Sequence, residues 1–100
     1  MIVYAVDVEV DAPAYAEYRA WLDAHVREML ALPGFVSAEI LERSDPPPPP
    51  GRRSLSAYYR LSSAADLERY LRVDAPRMRA EGTSRFGGSF SASRRILAPG

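Results

Sequence analysis

The chain has 100 residues, of which 47% are hydrophobic, and it contains 13 basic and 13 acidic residues, so its formal net charge is zero. This size predicts one domain over residues 1–100, with a core so small that burial against a second copy would stabilise it. Cysteine is absent, which excludes disulfides, thiolate nucleophiles and cysteine-ligated metals, and no apolar run is long enough to span a bilayer. We therefore expect a cytoplasmic homodimer without a membrane partner.

The charges are distributed unevenly along the chain. Residues 1–50 hold three arginines and nine acids, whereas residues 51–100 hold ten arginines and four acids. A basic half can bind nucleic acid, but the chain has no lysine and no basic run longer than two residues. Pairing of the two halves within the fold is the favoured interpretation, and no nucleic-acid partner is predicted.

The first two elements in chain order are a strand and a long helix. Alternation of apolar and polar residues predicts a strand over residues 2–10. A helix then runs from Asp11, a good N-cap with Pro13 after it, to the break at Pro33-Gly34. Its apolar residues recur with helical spacing and form one buried face, which consists of Tyr15, Tyr18, Trp21, Leu22, His25, Val26, Met29 and Leu30.

Two strands separated by a proline-rich loop follow the helix. Residues 35–43 alternate as the second strand, and residues 54–61 alternate as the third. The loop between them, residues 44–53, contains five consecutive prolines, which form an exposed polyproline segment and cannot join a sheet interior. A stiff connection explains this loop better than a ligand for a proline-recognition module.

The last part of the chain predicts a broken helix and a fourth strand. Ser63 and Asp66 form a capping box at the helix start. Pro76 predicts a break near Asp74 and Ala75, with Asp74 capping a second segment that ends near Gly82. Residues 85–88 then form a turn, and residues 89–97 alternate as the last strand, with one face made of Phe90, Ala92, Arg94 and Ile96.

This element order predicts an α+β, ferredoxin-like βαββαβ fold, whose four-stranded antiparallel sheet has the order 4-1-3-2 and carries two helices on one face. We expect Asp7 and Glu9 on the other face to flank Arg60 and Arg95. That face is expected to pair with a second copy in a dimeric α/β barrel, as a dimer seam, a pocket wall, or both. The helix-covered face is predicted to consist of Tyr4, Val6, Val8, Val36, Ala38, Ile40, Ala57, Tyr59 and Phe90.

Motifs over nearly the whole chain resemble the bacterial domain of unknown function family 4286. They are Tyr18-x-x-Trp21-Leu22-x-x-His25-Val26-x-x-Met29-Leu30, Pro33-Gly34-Phe35, and Arg85-Phe86-Gly87-Gly88 followed by Arg94-Arg95-Ile96-Leu97. This resemblance implies the fold and a bacterial origin, but no activity. In topology the architecture is similar to the dimeric α+β barrel superfamily, which includes antibiotic biosynthesis monooxygenases, muconolactone isomerases and haem-degrading enzymes.

The candidate catalytic residues are His25 and Tyr58. His25, the only histidine, could act as a base, although a histidine on an apolar helix face is more often a packed group with one hydrogen bond. No second histidine and no cysteine completes a transition-metal site, and a metal would need Asp7, Glu9 or Glu39 beside nearby arginines. The sequence therefore predicts no metal and no cofactor.

The candidate ligand-binding residues are aromatic or basic. Aromatic rings could line a pocket for a flat substrate or could be ordinary core. An arginine near the Gly87-Gly88 turn could hold a carboxylate or phosphate, or could form a structural salt bridge. The full set is Tyr18, Trp21, His25, Tyr58, Arg60, Arg85 and Arg95.

Two functions of different classes remain open. The favoured one is a non-catalytic small-molecule-binding or accessory module; the alternative is a cofactor-independent monooxygenase or isomerase acting on an aromatic or polyketide-like small molecule. A void lined by Tyr58, Arg60 and Arg95 would favour the enzyme. Ion pairs from those arginines to acids on the same sheet face would favour the module.

Overall fold

The computed structural model describes residues 1–100 and contains one antiparallel sheet. Its strands lie in the order β2-β3-β1-β4, which is the predicted order counted from the other edge. The strands are β1 (Ile2–Asp11), β2 (Phe35–Glu42), β3 (Arg52–Leu61) and β4 (Phe90–Leu97). The α-helices are α1 (Tyr15–Leu30), α2 (Ala64–Val73) and α3 (Ala75–Phe86). No helix combines the length and the hydropathy that crossing a bilayer requires.

The core lies between one sheet face and the helices, as the alternation predicts. Tyr4, Val8, Ala57 and Tyr59 are all at most 2% exposed and pack against helix residues. Val36 was assigned to this face wrongly, since it is 54% exposed. The register of β2 against β3 shifts between Phe35 and Ser37, and such a bulge removes the intervening side chain from the alternation.

The start of α1 differs from the prediction. Asp11 is the last residue of β1, and its carboxylate lies 3.3 Å from Nε of Arg52 instead of capping the helix. Pro13 occupies a 3₁₀ turn over Ala12–Ala14, where its missing N–H costs no helical hydrogen bond. The predicted apolar face of α1 is confirmed, because its buried residues are Tyr18, Leu22 and Met29.

The predicted capping box and helix break are both present. The Asp66 backbone N–H donates to Oγ of Ser63 over 3.1 Å at the start of α2. The chain breaks at Asp74, whose carboxylate makes no cap for α3 and instead accepts a hydrogen bond from Arg77 over 3.2 Å. The capping role assigned to Asp74 was therefore wrong, because its backbone has helical angles, φ −108° and ψ −29°, and not the extended conformation typical of a side-chain N-cap.

The end of α3 lies beyond the predicted stop at Gly82. A Cβ atom at Gly82 would lie 3.1 Å from Cη2 of Trp21, so this glycine permits close packing of α3 on α1 and does not end the helix. Arg85 and Phe86, assigned to a turn, are helical, and the Phe86 ring is buried. The chain reverses at Gly87, where φ is 51°.

Candidate functional site

A cavity of about 300 Å³ lies between the helix-covered sheet face and helices α1 and α3. This volume is at the lower end of the range for small-molecule sites, about 300–1,000 Å³. Most of the lining is apolar, as in typical ligand sites. Its rings belong to Tyr4, Tyr18, Trp21, His25, Tyr59, Tyr70 and Phe90.

Helix α1 supplies three of the predicted site residues. Tyr18, Trp21 and His25 follow one another at intervals of three and four residues, so they share one helix face and all line the cavity. The Trp21 ring stacks on His25 with 4.5 Å between ring centres, and Tyr18 packs 5.3 Å from Phe90 of β4. The structure brings these three residues together as the helical spacing predicted.

Three cavity tyrosines, Tyr18, Tyr59 and Tyr70, carry protonated hydroxyls at neutral pH. Burial raises the pKa of Tyr18 to about 12 and also raises the pKa of Tyr59 and Tyr70, with Arg94 partly offsetting the effect at Tyr18 and Tyr70. Among the four tyrosines of the lining, only Tyr4 has a hydroxyl that is hydrogen-bonded within the protein. Three phenolic hydroxyls are therefore free to bond a molecule in the cavity.

Two arginines that sequence reasoning did not assign to the site also line the cavity. Arg79 comes from α3 and donates to the Tyr4 hydroxyl over 3.1 Å, and Arg94 comes from β4. Neither guanidinium forms an ion pair with a carboxylate of the protein. Arg94 could have been predicted from the alternation of β4, because this alternation placed it on the same strand face as Phe90.

His25 meets an acid that sequence reasoning missed. Its Nδ1 lies 3.4 Å from Oε2 of Glu81, and its side chain is 11% exposed. Burial lowers the pKa of His25 below its ordinary 6.5, and this effect outweighs the opposing influence of Glu81 and Glu28. His25 is therefore a neutral imidazole at neutral pH, beside the cavity and oriented by a carboxylate.

The remaining predicted candidates lie outside this cavity. Tyr58, Arg60 and Arg95 project from the sheet face away from the helices, hereafter called the open face. Arg95 makes two hydrogen bonds to Asp7, of 2.6 and 2.9 Å, and a third of 3.0 Å to the Tyr58 hydroxyl. Hydrogen bonding to Arg95 lowers the pKa of Asp7, and the same pairing raises the pKa of Arg95.

The predicted flanking of Asp7 and Glu9 by Arg60 and Arg95 was only half right. Arg60 lies opposite Val3 in the β1–β3 register and pairs with Glu39 of β2 over 3.2 Å. The carboxylate of Glu9 forms no ion pair. Sequence alternation fixes the face of a side chain but not its position along the neighbouring strand, which explains the error.

Arg85 is also separate from the cavity. It is exposed, and its guanidinium lies 5.6 Å from the centre of the Phe86 ring. The structure thus joins three of the predicted binding residues in one cavity and places four elsewhere. Arg60 and Arg95 of the open face form ion pairs, which is the arrangement expected of a module.

Comparison with known protein families identifies one family that matches this chain. The family described as Domain of unknown function (DUF4286) matches residues 1–99. The chain belongs to this DUF4286 family. No curated protein sequence matches this DUF4286 chain.

Several solved structures share the fold of this DUF4286 protein. A candidate antibiotic biosynthesis monooxygenase from Deinococcus radiodurans is 11% identical, with a TM-score of 0.74 over 100% of this chain and 93% of the other. SnoaB, a cofactor-independent oxygenase from Streptomyces nogalater, is 16% identical, with a TM-score of 0.66 over 98% and 92% of the two chains. MhuD, solved with two manganese protoporphyrin IX molecules per active site, is 18% identical, with a TM-score of 0.68 over 99% and 94%. At these identities the likeness shows the fold alone.

Proposed function

We propose that this DUF4286 protein is a small-molecule-binding module whose cavity takes a flat aromatic molecule with an anionic oxygen. The observation that carries this proposal is the joint presence, in one cavity, of aromatic rings and of two arginines without acidic partners. The rings supply a flat apolar contact surface. The arginines supply positive charge and hydrogen-bond donors for a carboxylate or enolate oxygen inside a largely apolar cavity.

The balance of charges elsewhere in the molecule supports an anionic ligand. Arg60 and Arg95 on the open face each bind a carboxylate of the protein. Arg79 and Arg94, in contrast, border a cavity to which no acidic side chain contributes. An acidic group on the ligand would supply the ion-pair partner that Arg79 and Arg94 lack within the protein.

The first experiment compares an aromatic acid with its uncharged ester, namely 2-naphthoate and methyl 2-naphthoate, by isothermal titration calorimetry. Arg94→Met should weaken binding of the acid by about tenfold or more, because a hydrogen bond to a charged group contributes about 1.5–3 kcal/mol. Binding of the ester should not change. Arg27→Met is the matched control, since Arg27 is exposed on α1 and outside the cavity lining.

Two results would contradict the proposal. One is equal loss of affinity for the acid and the ester in Arg94→Met, which would indicate damage to the cavity and not the loss of a charge contact. The other is an equal effect of Arg27→Met, which would indicate a long-range charge effect.

A second candidate function, a cofactor-independent oxygenase or isomerase, is favoured by the contact of His25 with Glu81. A neutral imidazole held by a carboxylate can take a proton from an acidic aromatic substrate, and protonated tyrosines can stabilise the resulting enolate. The fold that this chain shares with SnoaB also supports this candidate. Ligand consumption that His25→Gln abolishes, with the binding affinity retained, would favour the enzyme over the module.

We also propose that the protein forms a homodimer through its open face. The face carries exposed apolar side chains, Leu41 at 49% and Leu97 at 40%. It also carries Ser54, which is 2% exposed and whose hydroxyl has no partner within the chain. A sheet face of this kind, covered by no helix, is suited to pairing with a second copy. The cytoplasmic location and bacterial origin stay predictions.

A further inference from the structure

Three potential metal ligands from two helices converge beside the cavity. His25 and Glu28 are one turn apart on α1, and Glu81 approaches from α3. Their ligand atoms all lie within 4.8 Å of one another. We infer that His25, Glu28 and Glu81 form a binding site for a divalent transition-metal ion of the zinc class.

The charges around the two glutamates support a cation at this position. Arg77 and Arg85 lie one turn before and one turn after Glu81 on α3, but neither neutralises its carboxylate. Arg77 pairs with Asp74, and Arg85 lies over the Phe86 ring. Glu81 therefore has no arginine partner, although the chain holds as many arginines as acids.

Glu28 has no arginine partner either, so no cation of the protein pairs with the carboxylates of the cluster. Seven other acids of the chain, in contrast, pair with arginine. The two carboxylates and the imidazole converge on one point without an arginine among them, and one divalent ion would complete this arrangement.

The distance between His25 and Glu81 is long for a hydrogen bond and fits two ligands of one metal ion. The separation of 3.4 Å between Nδ1 and Oε2 exceeds the usual N–H···O range of about 2.7–3.2 Å. Two ligand atoms bound to one tetrahedral metal at about 2.0–2.2 Å are about 3.4 Å apart. Glu28 is exposed, so its carboxylate can turn toward the ion without repacking the core.

The types of ligand atom define the chemical class of the metal. One imidazole nitrogen and two carboxylate oxygens suit Zn²⁺, Co²⁺, Mn²⁺ or Fe²⁺ better than Mg²⁺ or Ca²⁺, which prefer oxygen ligands alone. Three protein ligands leave a fourth position for water or for an oxygen of a molecule in the cavity that His25 lines. A metal on Nδ1 would also compete with the proton-transfer role of His25.

The single tryptophan provides a direct measurement of binding. Trp21 stacks on His25 with 4.5 Å between ring centres, and the chain has no other tryptophan. Paramagnetic Co²⁺ bound at His25 should therefore quench the Trp21 fluorescence in a saturable manner. Zn²⁺, which is diamagnetic, should displace Co²⁺ and restore the emission. The protein is first stripped with a chelator and dialysed, and no cavity ligand is added.

Conservative variants separate this site from nonspecific cation binding. Glu28→Gln and Glu81→Gln should each weaken Co²⁺ affinity by more than about tenfold, because each removes a charged ligand. Glu17→Gln is the matched control, since Glu17 is an exposed acid on α1 outside the cluster, and its affinity should match that of the wild type. Thermal unfolding of the metal-free variants checks that the fold is intact.

Two outcomes would overturn the inference. One is the absence of saturable quenching below about 1 mM Co²⁺, which corresponds to a binding free energy of only about −4 kcal/mol. The other is unchanged affinity in both Glu28→Gln and Glu81→Gln. Neither outcome depends on the aromatic ligand, so failure here would leave the proposed binding function untouched.

Discussion

At the scale of single residues, two neighbouring arginines of β4 lie in different environments on the two sheet faces. Arg95 on the open face is bound by Asp7 and Tyr58, and it fixes the sheet surface. Arg94, the next residue, lines the cavity and has no acidic partner. Because side chains alternate along a strand, neighbouring arginines can have a structural role and a binding role.

The pairing of Asp7 with Arg95 predicts a pH dependence of stability. The pKa of Asp7 is lowered from its usual 3.8, so its charged form contributes stability above that pH, and the contribution is lost as the pH falls through the folded value. Asp7→Asn should reduce the free energy of unfolding by about 1 kcal/mol at pH 7. The difference from the wild type should shrink as the pH falls below 3.8. Urea unfolding at a fixed protein concentration measures both effects.

Glu68→Gln is the control for this pH dependence. Glu68 pairs with Arg72 over 3.9 Å on the surface of α2, and both side chains are well exposed. Such a pair contributes little, so the change in unfolding free energy should stay below about 0.5 kcal/mol. A difference between Asp7→Asn and the wild type that persists unchanged at low pH would contradict the assignment.

At the scale of the elements, α1 and α3 are each followed by a glycine with positive φ, Gly34 and Gly87. Gly34 has φ of 85° after α1, and its carbonyl accepts the Ser62 backbone N–H over 3.0 Å. Gly82 was wrongly predicted to end the helix, because this glycine is needed for packing between helices and not for a turn. It lets Trp21 of α1 approach α3 closely, and this packing shapes one wall of the cavity.

Two glycine substitutions separate backbone strain from steric overlap. Gly51→Ala should cost about 1–2 kcal/mol, since φ is 78° there and a Cβ atom would meet nothing within 4 Å. Gly34→Ala should cost more than about 2 kcal/mol, because its Cβ would overlap the Asp66 side chain in addition. Thermal or urea unfolding provides the comparison. An equal loss of unfolding free energy in the two variants would show that the Asp66 side chain moves aside without an energetic cost.

At the scale of the whole molecule, the sheet separates two distinct environments. One face and the helices enclose the aromatic cavity, and the open face carries a polar network. A polar depression of about 250 Å³ on the open face is lined by acids, serines and one arginine, among them Asp7, Glu9, Arg43 and Ser54. We expect this depression to lie in the homodimer seam.

The proposed dimer can be tested with two matched substitutions. Leu41→Glu places a charge on the open face, and it should convert the dimer to a species of 11.1 kDa in analytical ultracentrifugation. Val73→Glu, at an equally exposed position at the end of α2, should leave the dimer intact. Dissociation by both substitutions, or a monomeric wild type, would contradict an interface on the open face.

The sequence by itself determined the order of the elements, the fold topology and the α1 residues of the cavity. These features follow from local spacing: helical periodicity places Tyr18, Trp21 and His25 on one face, and Ser63 with Asp66 starts α2. Local spacing also identified the break between α2 and α3. Proline, glycine and capping residues act through their own backbone, so neighbouring residues suffice to predict them.

Only the tertiary structure decided which distant residues meet. His25 and Glu81 are 56 positions apart, and Tyr4 and Arg79 are 75 apart. These contacts depend on how far α3 extends and on how it packs across the sheet. The partner of Arg60 likewise depended on strand register, which a period of two leaves undetermined. The sequence therefore predicted only part of the site. The spacing along α1 identified three of the seven rings, whereas the arginines and Glu81 come from elements that only folding brings together.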